Sequence, residues 1–148
     1  MKLRVAAAAA GAMAAVLLAG APANAQAKPY DHQDPAKSGC WNAAKVVRTA
    51  DIKSRIDGKV GTIKLWWSSR CKTNWVEIRT ASSATGTISV YAQDGRYDQF
   101  RFKAGNKGRH WGNMISANNM CAWGGASIQW NGGRGGQNGA GTTSKACK

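Results

Sequence analysis

The chain has 148 residues, of which 21 are lysine or arginine and only seven are aspartate or glutamate, so its formal net charge at pH 7 is +14. With so few carboxylates, little material remains for a paired general acid and base, which disfavours mechanisms that depend on two carboxylates. The length and the four cysteines are typical of one small disulfide-stapled domain with a modest core.

The first 25 residues have the pattern of a secretory signal peptide. Lys2 and Arg4 precede an apolar run over residues 5–19, and Ala23-Asn24-Ala25 provides a small-residue cleavage site. The run is shorter than the roughly 20 residues that a spanning helix needs, so we expect no transmembrane segment in the mature chain. Removing Lys2 and Arg4 leaves 19 basic and seven acidic residues, a net charge of +12. The protein is therefore expected to be secreted, either extracellular or cell-wall associated.

Residues 26–38 are interpreted as a polar N-terminal arm, and residues 39–148 as a single β domain. In the arm, His32 lies between Asp31 and Asp34. These three polar residues are interpreted as solvated side chains and not as metal ligands. We expect no metal and no cofactor.

Four cysteines, namely Cys40, Cys71, Cys121 and Cys147, allow three disulfide pairings, and sequence order alone cannot choose among them. We favour Cys40 with Cys71 and Cys121 with Cys147. Each of these bonds closes a loop of about 25 to 30 residues, worth roughly 3 to 4 kcal/mol in the chain-entropy model. A zinc site is disfavoured because the chain has no C-x-x-C pair and an exported protein is oxidised.

Alternating apolar and polar residues bounded by turn dipeptides predict strands from residue 44 onward. In the first strand, residues 44–56, one parity is apolar and is expected to be buried: Ala44, Val46, Ala50, Ile52 and Ile56. Asp57-Gly58 then predicts a tight hairpin, because glycine and aspartate tolerate the positive φ angles of such turns. The next strand is expected over residues 59–67.

Further strands are predicted over residues 75–80, 87–91, 97–103 and 126–130, with a second hairpin turn at Asp94-Gly95. The glycine-rich stretch over residues 131–143 is interpreted as a flexible loop spanned by the last disulfide. Six or more short antiparallel strands indicate an all-β fold, a small sandwich or barrel with two disulfides. We expect a monomer.

Three tryptophans surround Cys71. Alternation places Trp67 with Ile63 and Leu65 on the buried face, while Trp66 and Trp75 lie on the opposite face. Trp66 and Trp75 have two interpretations. They either form an open binding surface among basic residues, or pack beneath a loop or on a disulfide.

A distinctive succession of short motifs runs through the chain: Asp34-Pro35, Gly39-Cys40, Val60-Gly61-Thr62, the stretch 65–69, Cys71, Thr73-Asn74-Trp75, Asn113-Met114-Ile115, Cys121 and Cys147. In these motifs the chain resembles the YjfA-like family of small exported bacterial proteins, a domain of unknown function. The resemblance implies a compact, disulfide-bonded, extracellular domain and implies no activity. In the family pattern Trp75 is followed by Ala-Arg, whereas Val76-Glu77 stands here.

A basic segment over residues 100–111 carries Arg101, Lys103, Lys107 and Arg109. Alternation directs Phe100 and Phe102 to one side of a strand and the cations to the other. Such a surface can bind a polyanion with release of counterions, and the binding weakens as salt rises. The alternative is a solvated face that keeps an exported protein soluble.

We therefore expect a non-enzymatic secreted domain that binds an anionic cell-envelope polymer or surface. The candidate binding residues are Trp66, Trp75, Arg79, Arg101, Lys103, Lys107 and Arg109. Nucleic acid is the other candidate for the anionic polymer. One alternative function is a small secreted ribonuclease-like enzyme with Glu77 as base and His110 as acid. Another is a protein-binding toxin or inhibitor module, in which the charge steers association.

Overall fold

The computed structural model describes residues 28–147, so the segment interpreted as a signal peptide lies outside the described residues. The described chain contains nine β-strands: β1 Ala44–Ser54, β2 Gly58–Ser68, β3 Thr73–Thr80, β4 Thr85–Ala92, β5 Tyr97–Phe102, β6 Arg109–Trp111, β7 Ile115–Ser116, β8 Ala122–Gln129 and β9 Asn138–Thr142. Short 3-10 turns span Cys40–Ala43, Asn106–Gly108 and Asn131–Gly136. Over residues 28–147 we find no helix that is long and apolar enough to cross a membrane.

All nine strands belong to one antiparallel sheet that curls into a nearly closed barrel. The strand order is β5-β4-β8-β9-β1-β2-β3-β6, and β7 pairs with β3. The two ends of the sheet meet where the Phe102 ring of β5 stacks on the His110 ring of β6, with 4.3 Å between ring centroids. The predicted all-β fold is confirmed, and the structure selects the barrel form of it.

The barrel interior is filled by the apolar parity of each strand, because alternate side chains of a strand point to opposite faces. Ile63 and Leu65 of β2 and Val76 and Ile78 of β3 are fully buried there. The predicted burial of Trp67 is confirmed, since only 4% of the residue is exposed. Burial of this apolar interior is the main stabilising contribution to the fold.

Both predicted hairpins are present. Gly58 has φ +67° at the start of β2, and Gly95 has φ +89° in the turn between β4 and β5. These angles lie in the left-handed region, which glycine adopts at no steric cost. The Asp-Gly dipeptides therefore lie at the two hairpin turns that join β1 to β2 and β4 to β5.

The predicted parity of β1 is wrong at three positions. Ala44 packs with Cys40 and Trp75 on the outer side of the sheet, not in the barrel interior. Val46 is 37% exposed and Ile56 is 51% exposed. A register shift between Val46 and Arg48 inserts an extra residue, so that Val47 packs against the core instead of Val46. A bulge of this kind reverses the inward parity of a strand. Ile56 lies beyond the end of β1, in the turn before β2.

The glycine-rich stretch was predicted to be a flexible loop, and that prediction is wrong for its second half. β9 forms there and lies in the middle of the sheet, paired with β8 and β1. A Cβ on Gly139 would lie 2.7 Å from Val60 Cγ2, and a Cβ on Gly141 would overlap the backbone oxygen of Asp51. These glycines thus permit a close approach of strands, which is another use of a glycine-rich sequence.

The disulfides join Cys40 to Cys71 and Cys121 to Cys147, so the favoured pairing is confirmed. The first bond attaches the 3-10 turn at Cys40 to the turn between β2 and β3. The second bond attaches the C-terminal segment to the start of β8. Together they hold both ends of the described chain against the barrel.

The polar N-terminal arm packs on the barrel, so the expectation that its acidic residues are solvated is wrong for Asp31. The Asp31 carboxylate is buried, and Arg96 donates to it at 2.6 Å. Burial raises the pKa of Asp31, but hydrogen bonds from the backbone N–H groups of Lys28 and Ser116 and from Arg96 outweigh it and hold the pKa below its usual value. His32 also has a partner, because its Nδ1 lies 2.7 Å from Asp98 Oδ2.

Candidate functional site

The outer face of β2 and β3 carries a cluster of tryptophans packed around the Cys40–Cys71 disulfide. Trp66 and Trp75 are cross-strand partners. Their rings stack, with 6.1 Å between the ring centroids and an angle of 2° between the ring planes. Trp41 covers them from the 3-10 turn next to Cys40, with its ring centroid 5.5 Å from Trp66 and 5.4 Å from Trp75. Trp111 of β6 closes the cluster, 5.4 Å from Trp41.

This cluster decides between the two interpretations of Trp66 and Trp75. The prediction that both leave the aliphatic face is confirmed by the strand register. The further possibility of an open surface is wrong for Trp75, which is 0% exposed, and Trp66 is half-buried. Trp75 packs on the disulfide and therefore cannot touch a ligand without a rearrangement of Trp41. It stabilises the fold, and Trp66 is the accessible member of the pair.

Glu77 follows Trp75 on the same face of β3 and is 2% exposed. Arg109 donates from Nη2 to Glu77 Oε2 at 3.1 Å, and Arg79 Nε lies 3.7 Å from Oε1. The Arg109 guanidinium also lies over two rings of the cluster, 5.3 Å from the Trp41 centroid and 5.6 Å from that of Trp111. Two of the candidate binding cations are therefore engaged by a buried carboxylate.

His110 points to the other side of the sheet from Glu77. It is the register partner of Ile78, whereas Glu77 is paired with Trp111. Because neighbouring residues of a strand alternate between faces, the carboxylate and the imidazole lie on opposite sides of β3 and β6. Burial lowers the pKa of His110, and its Nε2 has no hydrogen-bond partner among the described residues. The two groups do not form an acid and base pair.

Arg101 and Lys103 line an open groove of about 660 Å³ on the outer faces of β4, β5, β8 and β9. We call it the cationic groove. Its polar lining also includes Thr85, Thr87, Ser127, Gln129 and Asn138. None of the described residues that line it is acidic, and within residues 28–147 neither cation forms an ion pair. Both side chains are exposed and free to meet an anion.

Lys107 is also exposed and lies in the glycine-bounded turn between β5 and β6, where its φ is +50°. The seven candidate binding residues therefore separate into groups. Arg101 and Lys103 share the cationic groove, Lys107 stands on a nearby turn, and Arg79 and Arg109 pair with Glu77. Trp66 and Trp75 belong to the tryptophan cluster. The structure does not unite them in one surface.

Sequence reasoning missed Trp41 and Trp111 as members of the cluster. The sequence did contain a signal for Trp41, because this residue follows Cys40 directly. Once Cys40 is bonded to Cys71, Trp41 must lie near the residues that surround Cys71. Trp111 had no local signal, since its position depends on β6 pairing with β3 across a long separation in sequence.

The structure defines a small antiparallel β-barrel that is stapled by two disulfides and carries a tryptophan cluster. Among the described residues we recognise no catalytic constellation. The chain belongs to the family described as "Protein of unknown function (DUF2690)", whose model matches residues 28–124. This match bears out the resemblance read from the sequence.

The chain is also similar to the "Uncharacterized protein YjfA" of Bacillus subtilis (strain 168). The two sequences are 25% identical over 103 residues, and the alignment covers 69% of this chain. It spans 65% of the relative, slightly less than two thirds of that protein's length. No solved structure matches the chain.

Proposed function

We propose that the mature domain is exported and binds an anionic polymer of the cell envelope through the cationic groove. The observation that carries the proposal is the pair of exposed, unpaired cations, Arg101 and Lys103, in a groove whose described lining has no acidic residue. The net charge of +12 on the predicted mature chain supports it, because a strongly basic protein attracts polyanions from a distance.

The groove suits a polymer that carries both phosphate and hydroxyl groups. Arg101 and Lys103 supply charge for the phosphates. The hydroxyl and amide groups of Thr85, Thr87 and Gln129 supply hydrogen bonds for a polyol. Exposed ion pairs are individually worth at most about 1 kcal/mol, so useful affinity requires a ligand with many repeated charges. A teichoic acid has this chemistry.

The other candidate residues contribute unequally. Lys107 is close enough along the chain to extend the positive field of the groove, and it is exposed. Arg79 and Arg109 share the Glu77 carboxylate, so the three side chains together carry a net charge of only +1 and contribute less to polyanion binding than two free cations would. Trp66 can offer only the accessible part of its ring.

The alternative functions have less support. A ribonuclease-like reaction with Glu77 and His110 is disfavoured because these groups lie on opposite faces of the sheet. A protein-binding role predicts a one-to-one complex that tolerates salt, whereas polymer binding predicts saturable retention that salt weakens.

The experiment is co-sedimentation of the oxidised mature domain with purified Gram-positive cell walls, with and without their teichoic acid, across a salt series. We expect saturable retention that decreases with salt and is lost when the teichoic acid is removed. Equal retention on both wall preparations, or none at low salt, would contradict the proposal.

A further inference from the structure

A second groove lies beside the cationic groove on the same outer face of the sheet. Its volume is about 250 Å³, and its lining includes Ser89, Tyr91, Gln99, Gly125 and Thr142. We call it the neutral groove. The two grooves share Thr87 and Ser127, so they form one continuous depression across β5, β4, β8 and β9.

One aromatic ring, that of Tyr91, lines the neutral groove and belongs to a row of three rings. Tyr91 stacks between Tyr97 and Trp123, with centroid separations of 6.2 and 5.7 Å. Tyr97 is 57% exposed and stands on β5, the first strand of the sheet order. Lys145 lies over Trp123 at 4.9 Å and occupies the far end of the row. The Lys145 ammonium group thus already makes a cation–π contact with the Trp123 ring.

The floor of the groove exists because residue 125 is glycine. Its side-chain position points outward, and a Cβ there would meet Gly141 O at 3.6 Å, Thr142 Oγ1 at 3.7 Å and Tyr91 Cε2 at 3.9 Å. All three are ordinary van der Waals distances, so the fold does not require a glycine at this position. The missing side chain instead leaves room directly beside the Tyr91 ring.

The chemistry of the lining selects an uncharged ligand rich in hydroxyl groups. Among the described residues that line the neutral groove, none is charged. Ser89 Oγ accepts a hydrogen bond from Gln99 Nε2 at 3.3 Å, which orients the amide before any ligand arrives. Hydroxyls and amides both donate and accept, as sugar hydroxyls require. Aromatic rings beside such groups give a sugar an apolar contact as well.

We infer that the neutral groove binds neutral sugar units of an envelope polysaccharide. The inference rests on the proposed function for the origin of the sugar, because the cationic groove continues the same depression. Arg101 lies four residues beyond Tyr97 on the same face of β5, about 13 Å away at the usual rise of a strand. A polymer that carries sugars next to phosphates would thus meet rings at one end and cations at the other.

The test is an NMR titration of the oxidised mature domain with two neutral probes, chitohexaose and maltohexaose, at physiological salt. The readout is the side-chain N–H signal of Gln99, which lines the groove, together with the dissociation constant. We expect at least one probe to shift that signal saturably. Gly125→Val should fill the groove and weaken binding by about tenfold or more, while its urea midpoint stays near that of the wild type, because β-branched residues suit strands.

Two matched variants control the test. Gly125→Ala adds only a Cβ at permitted distances and should retain most of the affinity. Tyr30→Ala removes an exposed ring outside the groove and should leave the affinity unchanged. The inference is overturned if neither probe binds, or if Gly125→Val binds as tightly as the wild type. Retention on teichoic acid would survive that result, so the two proposals fail separately.

Discussion

Replacing Trp75 by alanine should destabilise the domain as much as a change in the barrel interior. Trp75 is fully buried between Trp66, Trp41 and the Cys40–Cys71 disulfide. A tryptophan of this kind buries roughly 150–250 Å², which at about 25 cal/mol per Å² corresponds to about 4–6 kcal/mol. The alanine retains a small part of this, so we expect a loss of about 3–5 kcal/mol in the free energy of unfolding.

Urea unfolding of the oxidised protein, followed by far-UV circular dichroism, measures this loss. Trp67→Ala is the reference for a core tryptophan, because Trp67 is 4% exposed. Trp66→Ala is the comparison for a half-buried partner and should cost clearly less. If Trp75→Ala cost under about 1 kcal/mol, the ring would not be the packing element described here, and the face would be open in solution.

Three further outcomes are expected. The pKa of His110 is lowered by burial, so the unfolded chain binds its proton first as the pH falls, and stability should decline as the pH falls below the ordinary histidine pKa of about 6.5; His110→Phe should reduce that decline in urea titrations. The pKa of Asp31 is held low in the folded state, so its contribution is present above the ordinary pKa and is lost on further acidification; Asp31→Asn should flatten the acid limb of the same titration. Gly139→Ala should cost about 1–3 kcal/mol through overpacking against Val60, whereas Gly125→Ala should be close to neutral.

Local chemistry explains why much of the fold was predictable. Asp57-Gly58 and Asp94-Gly95 specify hairpins through their backbone preferences, and alternation then assigns Trp67 inward and Trp66 outward. The predicted parity of β1 is wrong because one inserted residue reverses which side chains point inward in the part of the strand that precedes it. The sequence did not predict β9 because its glycines permit a close approach between strands, and that approach depends on partners far away in sequence.

The candidate site was less predictable for the same reason. Alternation correctly brought Trp66, Trp75 and Glu77 to one face, but no local pattern shows that Trp41 covers that face. The separation of Glu77 from His110 depends on the register of β6 against β3. Tyr91 and Tyr97 did have a signal, because they are equally spaced about the Asp94 turn and must pair across the hairpin.

The most direct measurement compares two double variants of equal net charge in the cell-wall assay. Arg101→Gln with Lys103→Gln removes both cations of the cationic groove. Arg70→Gln with Lys72→Gln removes two exposed cations from the turn between β2 and β3, outside that groove. We predict that the groove variant loses most of its teichoic-acid-dependent retention at low salt, while the turn variant stays close to the wild type. Equal retention by the two variants would contradict the groove as the binding site and leave only the overall charge.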